Sequence, residues 1–420
     1  MTGSPLQAAT SPESLAALFR QRSFLLFWVS RLLIVLGAQA QGVTIAWQVY
    51  ALARRSSSVE ASAFLLGMVG LAQFLPLFLL SLFAGDAADR HDRRRIIFIC
   101  IGVEIACVAV LAVMAVRGSA AFWPIFGLAL VFGAARAFFN PASTALAPTL
   151  VPPSLLPRSI AWSSLSWQAA SIGGPALGGL LCAVSPAASY EVVAGLYAAG
   201  LCALLLVKAQ RPQTRQTASR ITLIKEGLAY VWRQKIVFGS ISLDLVAVLL
   251  GGATALLPAF AKDILRVGPE GFGILRASPA VGAAVVAVYL AARPIRSRAG
   301  LKMLGGVALF GAATLVFALS RSMILSAIAL AVLGAGDMVS VYVRQSLVQI
   351  VTPDQMRGRV AAVSTLFIGA SNELGEFESG VAARLITPVG AAVFGGIGAL
   401  VATGLWARLF PDLRKADRLG

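Results

Sequence analysis

Charged, metal-binding and nucleophilic side chains are scarce in this chain of 420 residues. Only 13% of the residues are charged, and there is a single histidine, His91. The four cysteines lie inside apolar runs without metal-ligand spacing, so we predict that they are small core residues: Cys100, Cys107, Cys182 and Cys202. The sequence also lacks a Ser/His or Cys/His arrangement and a nucleotide-binding motif. We therefore expect no metal site, no cofactor and no enzymatic activity.

Apolar residues, by contrast, make up 58% of the chain, and the mean hydropathy is +0.83. They form continuous runs of about 20 residues or more, the length that a helix needs to cross a bilayer. Continuous runs predict helices, because the strands of a membrane barrel alternate apolar and polar residues. The first run begins near Phe24 and is too long for a cleavable signal peptide. The sequence predicts an all-α, multi-pass membrane protein.

The apolar runs predict twelve transmembrane helices in two groups of six. We place the spans at 24–52, 62–84, 95–116, 121–147, 160–184, 189–208, 236–260, 271–292, 301–319, 322–350, 360–386 and 388–408. The domains are then a cytoplasmic segment 1–23, a bundle 24–208, a linker 209–235, a second bundle 236–408 and a tail 409–420. Within the linker, Ile221, Ile224, Leu228 and Val231 recur at helical spacing, which predicts an amphipathic helix on the membrane surface.

The lysines and arginines are distributed unevenly between the two sides of these spans. With the amino terminus inside, 24 of the 35 fall on the cytoplasmic side and eight, including Arg276, on the opposite side. Arg31, Arg136 and Arg344 lie within spans. This bias predicts that both termini are cytoplasmic. It also explains the net charge of +17 as a topology signal, so we expect no nucleic-acid partner.

The two halves of the chain carry an internal repeat with a constant offset of 201 residues. The matching pairs include Gly133 and Gly334, Pro152 and Pro353, Arg158 and Arg359, Gly174 and Gly375, and Gly179 and Gly380. Two repeated halves that meet at a site near the membrane midplane are typical of transporters. The offset also places Arg136 opposite Asp337, and Pro175 opposite Glu376.

The loop between the second and third spans reads GDAADRHDRRR over 85–95. It resembles the signature loop of the major facilitator superfamily, although Asp92 stands where that family often has glycine. Asp89 can face the amino terminus of a helix there. The resemblance implies a conformational latch between the two halves on the inner side, formed by Gly85, Asp89, Arg90, Arg93 and Arg94. A plain positively charged inner loop is the alternative.

The fifth span contains small residues and a proline over 170–179. Gly174, Pro175, Gly178 and Gly179 resemble the glycine-proline motif of exporters in this superfamily, although the motif's leading glycine is Ala170 here. Small residues also permit any close helix contact, so a generic packing role is equally compatible with the pattern.

Three further segments resemble the branch of the superfamily that contains enterobactin and macrolide exporters. They lie at 136–142, 257–260 and 352–359. The resemblance implies secondary active efflux driven by a proton gradient. The resemblance does not identify the substrate, because members of the branch differ widely in cargo.

Ionisable residues within the spans are the candidates for mechanism. Glu373 lies about 20 Å into the apolar run 360–386, near the midplane, where a charge costs about 3 kcal/mol or more. Glu373 and Glu376 share a helix face, as do Asp337 and Arg344, whereas Glu378 points away from Glu376 and is predicted to be a helix-contact residue. The candidates for proton coupling are Glu373, Glu376, Asp337, Asp244 and Glu104. Candidate substrate or charge partners are Arg136, Arg344, Arg31, Phe138, Phe139, Asn140, Trp167 and Phe377.

Two readings of these residues stay open. Arg136 and Arg344 can serve the carboxylates in transport, or they can neutralise them to hold the halves together. The main hypothesis is a monomeric transporter of the bacterial inner membrane that exports an amphipathic small molecule in exchange for protons. The alternative is movement of a lysophospholipid or other lipid through a lateral opening lined by Arg344 and apolar side chains. No additional soluble domain supports a sensor.

Overall fold

The computed structural model describes residues 15–119, 121–208, 220–295 and 297–417, and every element in these ranges is helical. After a short helix, Leu15–Arg20, the first half contains six long helices. They are α1 (Arg22–Ala53), α2 (Val59–Arg90), α3 (Arg93–Val116), α4 (Trp123–Leu146), α5 (Leu156–Val184) and α6 (Pro186–Leu205). Two 3₁₀ turns, Ala147–Leu150 and Pro153–Leu155, connect α4 to α5.

The second half begins with a linker helix, Arg220–Arg233, and continues through five further long helices. They are α7 (Lys235–Leu250), α8 (Gly268–Ala292), α9 (Ala299–Leu319), α10 (Met323–Val351) and α11 (Asp354–Leu409). Short helical turns, Ala253–Leu256, Leu257–Ala259 and Phe260–Ile264, connect α7 to α8, and a last turn, Pro411–Arg414, follows α11. The expected span 236–260 is therefore not one helix: α7 ends at Leu250, where Gly251 packs against Phe310 and Gly252 against Gly375.

Helix α11 consists of two segments, α11a (354–385) and α11b (388–409), because its backbone breaks at Ile386 and Thr387. Thr387 has a φ of +72°, and Pro388 follows it. Proline disfavours helical geometry at the preceding residue and cannot donate a backbone hydrogen bond. The break falls at the boundary that the sequence predicts between the last two spans.

Ten helical stretches in the described ranges are long and apolar enough to cross a membrane. Helix α5 has 29 residues but is not one of them, since its serines and glycines lower its hydropathy, and one stretch runs through both segments of α11. The prediction of an all-helical protein with many apolar helices is confirmed. The count of twelve spans and the position of the termini stay predictions.

Each half of the molecule packs around its own apolar core. Phe24, Ile101 and Ile125 are fully buried in the first half, and Phe260 and Phe317 in the second. Most helix contacts stay within a half, and α2 with α11 and α5 with α8 are the main pairs that cross between the halves. Val43 and Ala63 of the first half join the core of the second.

Repeat-related glycines make the same kind of contact in the two halves. A Cβ atom on Gly133 of α4 would lie 2.0 Å from the carbonyl oxygen of Gln73 on α2. One on Gly334 of α10 would lie 1.9 Å from the carbonyl oxygen of Pro279 on α8. Glycine is therefore required at both positions by direct contact between a helix and its neighbour's backbone.

A second repeat-related pair, Gly174 and Gly375, lines up in the same way. Gly174 of α5 packs against α1, where a Cβ atom would meet Leu36 O at 2.9 Å. Gly375 of α11a packs against α7, where it would meet Val248 O at 2.8 Å. The offset of 201 residues thus reports equivalent packing positions in two structurally repeated halves.

The halves meet at one end of the bundle, where α1, α5 and α11a end and α2 and α8 begin; we call this the junction end. There the Cβ position of Gly179 is 2.7 Å from Gly273 Cα, and that of Gly380 is 2.8 Å from Gly67 Cα. Gly179 and Gly380 are again a repeat-related pair. Their glycine partners let backbones of opposite halves touch directly.

Polar contacts at the junction end also join the two halves. Tyr50 donates a hydrogen bond to Asp263 Oδ2 at 2.5 Å, and Arg54 forms an ion pair with Asp263 Oδ1 at 3.2 Å. Nearby, the Trp47 ring stacks on Phe272 with centroids 6.1 Å apart. These contacts connect α1 to the turn between α7 and α8 through Asp263, and to the start of α8 through Phe272.

The linker contains the predicted helix, which packs mainly against α7 and α11 of the second half and also contacts α2 of the first half. Glu226 forms an ion pair with Arg359 at 2.6 Å, and Gly227 packs against the Arg359 carbonyl oxygen. Val231 is buried, whereas Trp232 is 71% exposed. The side chains of Ile221 and Ile224 lie outside the described residues.

Gly133→Ala is expected to destabilise the protein by about 1–3 kcal/mol, because the added methyl group would overlap the Gln73 backbone. Thermal unfolding of the purified protein in detergent measures the effect. Gly127→Ala on the same helix is the matched control, since no atom lies within 4 Å of its Cβ position. Equal melting temperatures for the two variants would contradict the close contact between α4 and α2.

Candidate functional site

A cavity of about 530 Å³ lies between the two halves of the bundle. Its volume is within the range of small-molecule sites in proteins. Among the residues predicted from the sequence, its walls include Glu104, Arg136, Phe139, Asn140, Trp167, Pro175, Asp337 and Glu376. The structure thus brings together predicted residues from five different helices at one site.

The first half lines the cavity with amide and charged side chains. Arg136 Nη1 donates to Gln73 Oε1 at 3.3 Å, and Tyr197 donates to Gln41 Oε1 at 2.6 Å. The contact at Gly133 presses α4 onto the backbone of Gln73, and Arg136 follows three residues later on the same face. The close packing at Gly133 therefore fixes the distance between the Arg136 backbone and Gln73, which the Arg136 side chain contacts. Glu104 of α3 is also in this wall and is 5% exposed.

The second half lines the cavity with an ion pair between α8 and α11a. Arg276 Nη2 is 3.3 Å from Glu376 Oε1, and Arg276 Nη1 donates to Thr254 O at 3.2 Å. Both side chains are partly exposed, Arg276 by 36% and Glu376 by 28%, so water in the cavity screens the pair.

The partner of Glu376 corrects the sequence analysis, which counted Arg276 on the outer side and expected partners among Arg136, Asp337 and Arg344. Helix α8 begins at Gly268, so Arg276 lies more than two turns inside it. From that position its long side chain reaches the cavity. Glu373 precedes Glu376 by about one turn of α11a, but its side chain lies outside the described residues.

A buried ion pair lies within the second half, apart from the central cavity. Asp244 Oδ2 of α7 is 3.2 Å from Arg344 Nη1 of α10, and the side chains are 6% and 3% exposed. Asp337 lines the central cavity, whereas Asp244 and Arg344 do not. The lateral opening that the lipid alternative needs would be lined by Arg344, and this residue is instead buried against Asp244.

Several predicted residues are outside the described lining of the cavity. Arg31, Phe138 and Phe377 are half-buried on α1, α4 and α11a without reaching it. Glu378 is also half-buried, 3.5 Å from Ser379 Oγ. Glu376 therefore lines the cavity and Glu378 does not, which agrees with their predicted positions on different faces of the helix.

The glycine-proline motif of α5 takes part in two kinds of contact. Pro175 lines the cavity, while Gly174 and Gly178 pack against α1. Gly179 forms the junction with Gly273. The motif therefore couples the packing of the first half to its contact with the second.

The loop between α2 and α3 makes its described contacts inside the first half. Gly85 is buried, and Arg90 pairs with Asp86 at 2.9 Å. Arg93 donates to Ala145 O at 2.9 Å, and Arg94 donates to Leu205 O. The amino-terminal cap of α3 is Asp92, which accepts from Arg94 N at 2.9 Å. That Asp89 faces the amino terminus of a helix stays a prediction. The role of the loop as a latch between halves stays a prediction.

Asn140 is the one uncharged polar side chain of the cavity among the candidates predicted from the sequence. Gln39, Gln41 and Gln73 also line the cavity from α1 and α2, and Asn372 lines it from α11a. Amides inside predicted membrane spans were the available signal, because buried polar groups in a bilayer need partners.

Comparison with known proteins gives a consistent result over the whole chain. Residues 13–419 match the profile of a family described as transmembrane secretion effector. The enterobactin exporter EntS of Escherichia coli O81 (strain ED1a) is 25% identical over 407 residues, which cover 96% of this chain and 95% of the exporter. The multidrug efflux pump Tap of Mycobacterium tuberculosis (strain CDC 1551 / Oshkosh) is 28% identical over 400 residues, covering 91% of this chain and 93% of the pump.

The fold is shared with solved transporter structures. A crystal structure of a POT family transporter in complex with 5-aminolevulinic acid aligns with a TM-score of 0.73 at 11% identity, covering 93% of this chain and 96% of that chain. The resemblance inferred from the motifs is confirmed, and so is the expectation of a multi-pass membrane transporter rather than an enzyme. The chain belongs to the transmembrane secretion effector family of the major facilitator superfamily.

Proposed function

We propose that this protein exports an amphipathic small molecule across the bacterial inner membrane by alternating access, in exchange for protons. The observation that carries the proposal is the cavity between two repeated halves that touch each other at the junction end. A site of this kind, held between halves with a reversible contact on one side, is the arrangement that alternating access needs. The full-length similarity to an enterobactin exporter and a multidrug pump supports export.

The proposed topology has twelve spans, with α11a and α11b as separate spans and both termini in the cytoplasm. The excess of lysine and arginine on the side of the termini supports this orientation. The junction end then faces the outside, and cargo enters the cavity from the cytoplasm. For an exporter this is the loading state.

The lining of the cavity supports a cargo that is part apolar and part polar. Phe139 and Trp167 supply aromatic faces, while Gln39, Gln73 and Asn140 supply hydrogen-bonding amides. A volume of about 530 Å³ suits a drug-sized or siderophore-like molecule. The burial of Arg344 against Asp244 removes the feature that would have favoured a lipid cargo.

Proton coupling is proposed to use Glu376, with Glu373 one turn away. Glu376 faces the cavity and is held by Arg276. Protonation of Glu376 would release Arg276, which would then be available to an anionic group of the cargo. Competition between a proton and a cargo for the same ion pair gives exchange, since each binds better in the absence of the other.

Inverted membrane vesicles test the proposal directly. Vesicles that contain the protein and carry an inward-acidic proton gradient should accumulate enterobactin or an amphipathic fluorescent dye. A protonophore should abolish the accumulation, because the gradient drives it. Accumulation that is unchanged by the protonophore would exclude proton coupling, and vesicles without the protein provide the background.

Glu376→Gln should lower gradient-driven accumulation by at least about fivefold, since coupling energies of about 1–3 kcal/mol correspond to about 5–150-fold. Glu378→Gln is the matched control two residues away, because Glu378 does not line the described cavity. The same vesicle assay, corrected for the amount of folded protein, measures both variants. Full coupled transport by Glu376→Gln would remove this carboxylate from the mechanism.

A reversible crosslink at the junction end should stop transport, because the halves could no longer separate there. Arg54→Cys with Asp263→Cys, in a chain without the four native cysteines, provides the crosslink between halves. Thr44→Cys with Ser189→Cys is the control within the first half, where the two hydroxyl oxygens are 2.6 Å apart. Oxidation should inhibit only the first pair, and reduction should restore it. Undiminished transport by the oxidised first pair would exclude alternating access through this end.

A further inference from the structure

Three charged side chains form a cluster inside the second half, beside the cargo cavity. Asp244 comes from α7, and Asp337 and Arg344 come from α10. Asp244 and Arg344 are 3.2 Å apart and almost fully buried. Asp337 borders the same small void as Asp244 and lies seven residues before Arg344, on the face of α10 that both share. The cluster therefore contains two carboxylates and one guanidinium.

This composition leaves one negative charge without a counter-charge when both carboxylates are ionised. Burying an uncompensated charge is unfavourable, and such groups are either paired or neutralised. Two further arginines, Arg136 and Arg276, line the cargo cavity that Asp337 borders. Arg276 is engaged by Glu376 and by Thr254 O, and Arg136 donates to Gln73 Oε1. Helix α9 presents Val307 and Phe310 to the cluster, so it offers no charge. The described surroundings supply the cluster with no second positive side chain.

A small internal void lies directly between the two carboxylate residues. Its volume is about 10 Å³, close to that of one water-sized sphere, and Asp244, Asp337 and Ser340 line it together with apolar side chains. Ser340 is 1% exposed, and its hydroxyl has no hydrogen-bond partner among the described residues. A buried hydroxyl without a partner indicates a missing ligand or water. The void is thus large enough for one water molecule or one small ion, and three residues with side-chain oxygen atoms line it.

The void lies next to the cargo cavity. Val248, Phe310 and Asp337 line both spaces, so Asp337 stands in the wall between them. Asp337 therefore borders the cargo cavity on one side and the void on the other, and the void is too small to hold a cargo molecule.

We infer that the void bounded by Asp244, Asp337 and Ser340 binds one small monovalent cation, which balances the second carboxylate of the cluster. Two monovalent cations fit the void: a proton, carried by one of the carboxyl groups beside a water molecule, or a sodium ion. A single positive charge completes the balance of two carboxylates with one guanidinium. A divalent ion would leave an excess positive charge. The inference concerns binding within the second half and holds whether or not the cargo and the direction of transport are as proposed.

Thermal unfolding of the purified full-length protein in detergent tests the inference. In the sodium arm, choline chloride is replaced by sodium chloride at constant ionic strength and alkaline pH. In the proton arm, the pH is lowered without sodium; a site that binds a proton more tightly in the folded state makes the protein more stable as the pH falls. We expect the melting temperature to rise by about 2 °C or more in one arm.

Asp337→Asn and Asp244→Asn each leave one carboxylate with one guanidinium, so either variant should lose the response. Two variants are used in case one of them fails to fold. Asp412→Asn, at an exposed position near the carboxyl terminus, is the control that should keep the response. If both folded variants respond like the parent protein, the inference is wrong. It is also wrong if the parent protein responds in neither arm.

Ser340→Ala separates the two sources, because it removes an oxygen ligand and leaves both carboxylates. A sodium response should need about tenfold or more sodium in this variant, whereas a proton response should persist. Binding of radiolabelled sodium, displaced by unlabelled sodium but not by choline, provides a second readout for the sodium arm. Neither readout requires transport, so a failure here is distinguishable from a failure of the proposed export.

Discussion

Direct backbone contact between the two halves is the constraint on which the rest of the structure depends. Lipid tails are as apolar as leucine, so helices in a membrane associate through close packing rather than through the hydrophobic effect. Here Gly67 packs against Gly380 and Gly179 packs against Gly273, so each pair of backbones approaches more closely than larger side chains would allow. Both contacts lie at the junction end, and a hydrogen bond from Gln168 Nε2 to Ala280 O joins the halves farther along α5 and α8. The glycines therefore fix how closely the halves approach at the junction end, and the cavity lies between the same halves.

The repeat gives both halves the same scaffold but different charges. Gly133, Gly174 and Gly179 of the first half have packing equivalents in the second, whereas the ionisable residues at matched positions differ. Arg136 corresponds to Asp337 across the offset of 201 residues, and Pro175 corresponds to Glu376. Symmetry was thus kept where backbones touch and lost where side chains face the cavity. This division lets one half supply mainly amides and an arginine while the other supplies carboxylates.

Properties that follow from local sequence were predictable, and those that depend on partners were not. Helix positions and the equivalence of the repeat glycines follow from apolar runs and a fixed offset, both of which are visible in the chain. The pairing of Arg276 with Glu376 joins residues 100 positions apart, and that of Asp244 with Arg344 does the same. Such pairs depend on how α8 meets α11a and α7 meets α10, which no local pattern encodes. Arg276 falls inside the predicted span 271–292 and was nevertheless counted with the outer charges, so its reach into the cavity was not considered.

The two ion pairs of the second half differ in how easily they can change. Arg276 and Glu376 are each about a third exposed to the cavity, so water can replace either partner and separation is inexpensive. Asp244 and Arg344 are buried, and separating them would leave two charges without solvent. Exchange of a proton or small ion is therefore expected to act first on Glu376 and Asp337, which both line the cavity, while Asp244 stays paired with Arg344. Because Asp337 borders the cavity on one side and the buried cluster on the other, a change of its charge reaches the packing of α7 against α10. That contact is the physical route by which occupancy of a small cation site can influence the larger cavity beside it.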